Sequence, residues 1–159
     1  MKRSHASSNV FTAAGYRLPR GDDADDEADL APYFMQYAMD EMRIVMTPRL
    51  LRLRRLVIGE VSRFPELARA LFENGPQRSI QSLAIVISKL VQRGLLSAPS
   101  PAVAATTLNW LVLAAPVNEA MLLGDDAIPT TTAMKAHAAE ATRVFLTAYA
   151  SDTGLDDLR

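Results

Sequence analysis

The stretch "SRFPELARALFENGP", residues 62–76, decides how this chain is read. Helix-forming residues flank a proline at position 65, which has no N–H to donate and which disfavours helical geometry at Phe64. A long helix therefore has to break at this point and be re-aimed, with the Phe64 ring driven inward at the corner. A short helix is expected over 66–73, and "NGP" at 74–76 should close it with a C-cap glycine and a stop.

Outward from that corner the pattern is helical in both directions. On the N-terminal side, "RLLRLRRLVIGEVSRF" (49–64) sets Leu50, Leu53, Val57 and Val61 on one stripe and arginines on another, with Thr47 as N-cap and Pro48 beginning the helix. Before it, "PYFMQYAMDEMRIVMT" (32–47) repeats apolar residues near helical spacing. On the C-terminal side, "QRSIQSLAIVISKLVQRG" (77–94) has Ile80, Leu83, Ile87 and Leu90 at spacings of three and four, and Gly94 ends it. "SPAVAATTLNWLVLAAPVNEAMLLG" (100–124) opens with Ser100 as N-cap and Pro101 at the first helical position. It is apolar on nearly all sides and must be buried on nearly all sides. "TTTAMKAHAAEATRVFLTAYA" (130–150) carries Met134, Ala138, Ala141, Phe145 and Ala148 on a narrow, alanine-rich face that invites close approach of another helix. The fold class is all-α, a bundle of about six helices over 31–150, with a short tail at 151–159.

Composition agrees and narrows the function. Of 159 residues, 49% are hydrophobic and 22% charged, enough for one domain with a core. Zero cysteines exclude disulfides and thiolate metal sites and fit a reducing cytosol, so a cytoplasmic protein without cofactor is expected. No apolar run reaches the roughly 20 residues that span a bilayer without interruption. A net charge of −1 lacks the basic excess of a dedicated nucleic-acid-binding domain. Residues 1–30, with "GDDADDEAD", read as a solvated, largely disordered acidic tail.

Residues 56–76, "LVIGEVSRFPELARALFENGP", strongly resemble the C-terminal regulatory domain of TetR-family transcriptional repressors, many of which carry a segment "RLVIAEAxRFPELAxxFYExGP". Arg55, Leu56, Val57, Ile58, Glu60, Arg63, Phe64, Pro65, Glu66, Leu67, Ala68, Phe72, Glu73, Gly75 and Pro76 match it as they stand. The resemblance extends more loosely over about 31–150. It implies a broken helix framing a cavity for a small hydrophobic effector, and a homodimer. Family members begin with a helix-turn-helix head, and residues 1–30 hold no segment like "LYYHFxSKEEL"; "FTAAGY" at 11–16 is only a faint echo of the first head helix. The chain alone is therefore expected not to bind operator DNA, which it would reach only through a family-type head.

The expected effector site is Met42, Met46, Leu56, Phe64, Leu83, Ile87 and Asn109, the amide orienting a ligand among apolar walls. The expected dimer interface is Trp110, Val117, Met134, Ala138, Ala141 and Phe145, on a two-fold four-helix contact. Other features read more plainly. "DDADD" (22–26) matches a prenyl-synthase metal motif but lacks its second carboxylate motif. Arg49, Arg52, Arg54, Arg55 and Arg63 read as a solvated face, and His137 as packing, since a metal site needs more ligands. Met35, Met39, Met42 and Met46 fit either core packing or an adaptable pocket. No phosphate loop, nucleophile elbow or zinc-protease motif is present, so an enzyme is not expected. The alternative is a ligand-free helical interaction protein that pairs with a full-length family member.

Overall fold

Six α-helices follow one another in a computed structural model that describes residues 30–151: α1 Leu30–Val45, α2 Pro48–Gly59, α3 Pro65–Phe72, α4 Arg78–Gln92, α5 Pro101–Leu123 and α6 Thr131–Tyr149. Among the described residues there is no strand beyond an isolated bridge between Leu96 and Ala150. Of the acidic tail expected over 1–30, only Leu30 is among the described residues, as the first residue of α1. The rest of that tail, the absence of a head from it, and the tail after Ser151 concern residues outside those described.

The helix boundaries follow their caps. Thr47 Oγ1 accepts from Leu50 N at 3.3 Å and Ser100 Oγ from Val103 N at 3.4 Å, each cap standing immediately before a proline-led helix. Gly94 and Gly124 end α4 and α5 at φ 77° and 94°, the left-handed region that an L side chain resists. The loop after α4 is clipped to the end of α6, with Ser97 N donating to Tyr149 O at 2.7 Å.

The core runs through α1, α4, α5 and α6. Phe34 of α1 and Phe145 of α6, both fully buried, meet with ring centroids 4.9 Å apart, and Tyr149 packs tilted against Phe145 at 5.0 Å. Met134, Ala138, Ala141 and Phe145 are all buried inside this one subunit. That corrects the expectation that they form a dimer interface. The alanine-rich face does bring a helix close, but the helix is the chain's own α1.

Pro116 lies buried inside α5 and withholds the N–H that would have bonded the Val112 carbonyl one turn back. His137 of α6 stands in for it, its Nε2 3.0 Å from Val112 O. The carbonyl can only accept, so Nε2 carries the proton. The histidine thus packs two helices together by filling a vacancy that the proline leaves.

Two expectations at the opening stretch need correction. Phe64 is not driven inward: it is 41% exposed, with the Arg63 guanidinium 5.3 Å from its ring centroid. Breaking the helix re-aims the chain across the surface, and α3 buries none of its residues. Nor does "NGP" stop the helix. Glu73–Gln77 form a π-helical turn that leads directly into α4, with backbone angles at Phe72, Glu73, Gln77 and Arg78 all right-handed helical. Pro76 cannot donate to the carbonyl one α-turn back, and a wider turn accommodates the missing donor. Gly75 takes no positive φ and is not a C-cap.

Candidate ligand site and pairing face

Where the chain is bent, α1, α2, the α3–α4 corner and α5 fail to close on one another. They leave a cavity of about 150 Å³. Ile44, Val45, Leu50, Leu71 and Leu113 give it apolar walls, and Glu41, Arg54, Asn109, Ser79 and Ser82 give it polar ones. Arg54, Pro76, Asn109 and Leu113 also line an adjoining groove that runs out over Ile58, Phe72, Trp110, Ala114, Val117 and Met121. The cavity and the groove therefore meet at Arg54, Pro76, Asn109 and Leu113.

The polar groups differ in how far they are satisfied. Glu41, buried on α1, accepts from Ser79 Oγ of α4 at 2.8 Å. Burial, and behind it the Glu41 carboxylate, hold the neighbouring Tyr37 phenol far above its ordinary value. Asn109 is 4% exposed, and its Oδ1 has no hydrogen-bond partner among the described residues. Arg54 is half-buried, and no described residue pairs with it; loss of water around the guanidinium pushes its pKa below the usual arginine value. Its neighbours on α2 are engaged elsewhere. Arg55 bonds Asp125 Oδ1 at 2.5 Å and the Ala120 carbonyl at 3.0 Å, and Arg52 bonds Asp125 Oδ2 at 3.0 Å, so the two tie α2 to the end of α5. Those hydrogen bonds, Arg55 first, hold the Asp125 carboxyl below the usual carboxylate range.

Of the seven residues expected at an effector site, Asn109 lines the cavity. Met42, Met46, Leu83 and Ile87 are packed in the core cluster behind it, and Leu56 and Phe64 face solvent at 63% and 41% exposure. Arg54, Glu41 and Ser79 were not anticipated. Arg54 carries a signal in the sequence: it falls four residues after Leu50 and three before Val57, a charge on a helix's apolar stripe.

Of the expected interface residues, Trp110 is 58% exposed and Val117 half-buried, whereas the four on α6 are sealed inside. Trp110 and Val117 belong to a line on α5 comprising Val103, Thr107, Trp110, Ala114, Val117 and Met121, none of them buried. Its steps alternate between four and three residues, the spacing of a seam between packed helices.

Among the described residues no group of three or more His, Asp or Glu side chains could hold a metal, and no helix is long and apolar enough to cross a membrane.

Residues 33–151 match the family model of the AefR-like transcriptional repressor, C-terminal domain. Two solved structures share the fold. One is a TetR-family transcriptional regulator of Mesorhizobium loti MAFF303099, 29% identical, with a TM-score of 0.73 over 90% of this chain and 73% of that one. The other is a TetR transcriptional regulator of Agrobacterium tumefaciens, 23% identical, with a TM-score of 0.77 over 94% of this chain and 72% of that one. No curated protein matches.

Proposed function

The chain belongs to the TetR family of transcriptional regulators, through its C-terminal regulatory domain, and from that premise we propose that it senses a small, largely apolar effector and pairs with a second copy of itself. The effector occupies the cavity between α1, α2, α4 and α5. The observation that carries this reading is the Asn109 amide oxygen, buried at the cavity wall and without a partner among the described residues. Leaving a buried acceptor unmet costs about 1–3 kcal/mol, and a bound ligand with a donor or a rotated amide contact removes that cost. The role is binding rather than catalysis, since the one carboxylate of the cavity is already engaged by Ser79.

Pairing runs along the Val103–Met121 line of α5, with the outward side of α6 beside it. An exposed indole amid small and β-branched residues is a costly surface for a lone subunit and a good anchor for a contact. Sedimentation should find a dimer at micromolar concentration, converted to folded monomer by Trp110→Arg; a monomer in the unmodified protein refutes the pairing. Ala141→Arg, by contrast, should disrupt the subunit's own core. For sensing, a panel of apolar probes scored by thermal denaturation should contain some that raise the melting temperature, as any ligand selective for the folded state must. If no probe does so while the dimer persists, the interaction-only reading replaces effector sensing.

A further inference from the structure

We infer that the effector is an acid: an apolar body about the size of one aromatic ring, bearing a carboxylate or a similar anionic group that pairs with Arg54 beside Asn109. This rests on the cavity being the effector site and adds the chemical class of its occupant.

The charge balance of the site points this way. Three ionisable side chains line the cavity: Glu41, Arg54 and Arg78. Glu41 is buried and holds Ser79, while Arg78 is exposed at the start of α4, where water can solvate it. Arg54 is the one whose charge is half withdrawn from water without a partner among the described residues. Guanidinium groups in that situation are normally matched by a carboxylate, in a pair of short, charge-assisted hydrogen bonds. The other α2 arginines show what a match looks like, since Arg52 and Arg55 share Asp125.

Position fixes where the acid group lies. Arg54 and Asn109 line both the cavity and the groove, whereas Glu41 lines the cavity alone. An anion held at this junction lies toward the groove, away from the chamber end that Glu41 lines. The Asn109 amide can turn its N–H₂ toward a ligand oxygen or keep its unpartnered Oδ1 for a ligand donor. The apolar body then points inward among Ile44, Leu50 and Leu71, which line the cavity and not the groove. A chamber of about 150 Å³ has the volume of a cavity that admits a benzene ring.

The test compares probes with the same apolar body and either a carboxylate or a neutral hydroxyl: benzoate against benzyl alcohol, and octanoate against octanol, by titration calorimetry on the whole chain. Each acid should bind about tenfold or more tightly than its alcohol. Arg54→Met, which keeps the apolar stem, should abolish that preference and leave alcohol binding unchanged, while Arg52→Gln should preserve it. If Arg54→Met does not fold, Arg54→Gln takes its place, and the comparison of acid with alcohol in the unmodified protein needs no variant. Alcohols binding as well as acids would overturn the acid assignment and leave a sensing cavity standing. Acid preference that survives loss of Arg54 would overturn it too, by placing the anion elsewhere. No binding by either class would overturn the acid assignment together with the effector reading beneath it.

Discussion

Replacing His137 by leucine tests whether the link between α5 and α6 is a repair of the proline vacancy or an incidental contact. In the intact protein the Val112 carbonyl, with no N–H at position 116 to receive, accepts from His137 Nε2 at 3.0 Å. His137→Leu keeps similar bulk at the position and removes the donor. Val112 is buried and His137 half-buried, so the expected loss lies in the lower part of the range for an unmet buried acceptor, about 1–2 kcal/mol. The decisive arm is Pro116→Ala, which returns a backbone N–H to the same carbonyl. In that background His137→Leu should cost less, by about 1 kcal/mol, because the acceptor has a second donor. Urea denaturation of the four proteins, at one fixed concentration, closes the cycle. Equal cost of His137→Leu in both backgrounds would refute the vacancy argument.

Phe145→Ala should cost about 3–5 kcal/mol, since the ring is fully buried against Phe34 and Tyr149, whereas Phe64→Ala, at 41% exposure, should cost no more than about 1 kcal/mol; denaturant midpoints rank the two. Gly124→Ala should cost about 1–3 kcal/mol through backbone strain alone, because an added Cβ meets nothing within 4 Å but φ is 94°. Gly75→Ala has equal room and no positive φ, so it should be neutral or stabilise by up to about 1 kcal/mol on the same scale. Asp125→Asn should destabilise at neutral pH. The folded-state pKa of Asp125 is lowered, so its contribution is complete above the unfolded value of about 3.9 and fades as pH falls below it toward the folded value. Wild type and variant should therefore converge in acid, and a gap that widens there would count against the pairing with Arg55 and Arg52.

Local signals carried most of the fold. Thr47–Pro48 and Ser100–Pro101 open helices, and Gly94 and Gly124 close them, because capping is settled within a few residues. Direction was harder to read. Pro65 announces a break but not which side of the break faces solvent, and Phe64 came out exposed. The alanine face of α6 announces a close neighbour but not whose helix it is; α1 of the same chain fills the place. The site was legible only in part for a related reason. Asn109 stands out as a polar residue in an apolar helix, whereas Arg54 is one of a run of arginines. Its separation from Arg52 and Arg55 depends on Asp125, seventy residues further along, claiming the other two.

The wide turn at Glu73–Gln77 also governs rotational phase. In an uninterrupted α-helix, positions 72, 76, 83 and 87 would share one side, since steps of four, seven and four residues are close to whole turns. Leu83 and Ile87 are indeed in the core, yet Phe72 is 55% exposed and Leu71 faces the cavity in its stead. The π-turn holds about one residue more than an α-turn, which offsets α3 from α4 by about 100°. Losing a single residue there would roll α3 about its axis and carry the Phe72 ring over the chamber. The seating of α4 against α5 would stay as it is. Natural variation thus has a route to resize the chamber by gaining or dropping one codon, at a place where no core side chain has to change.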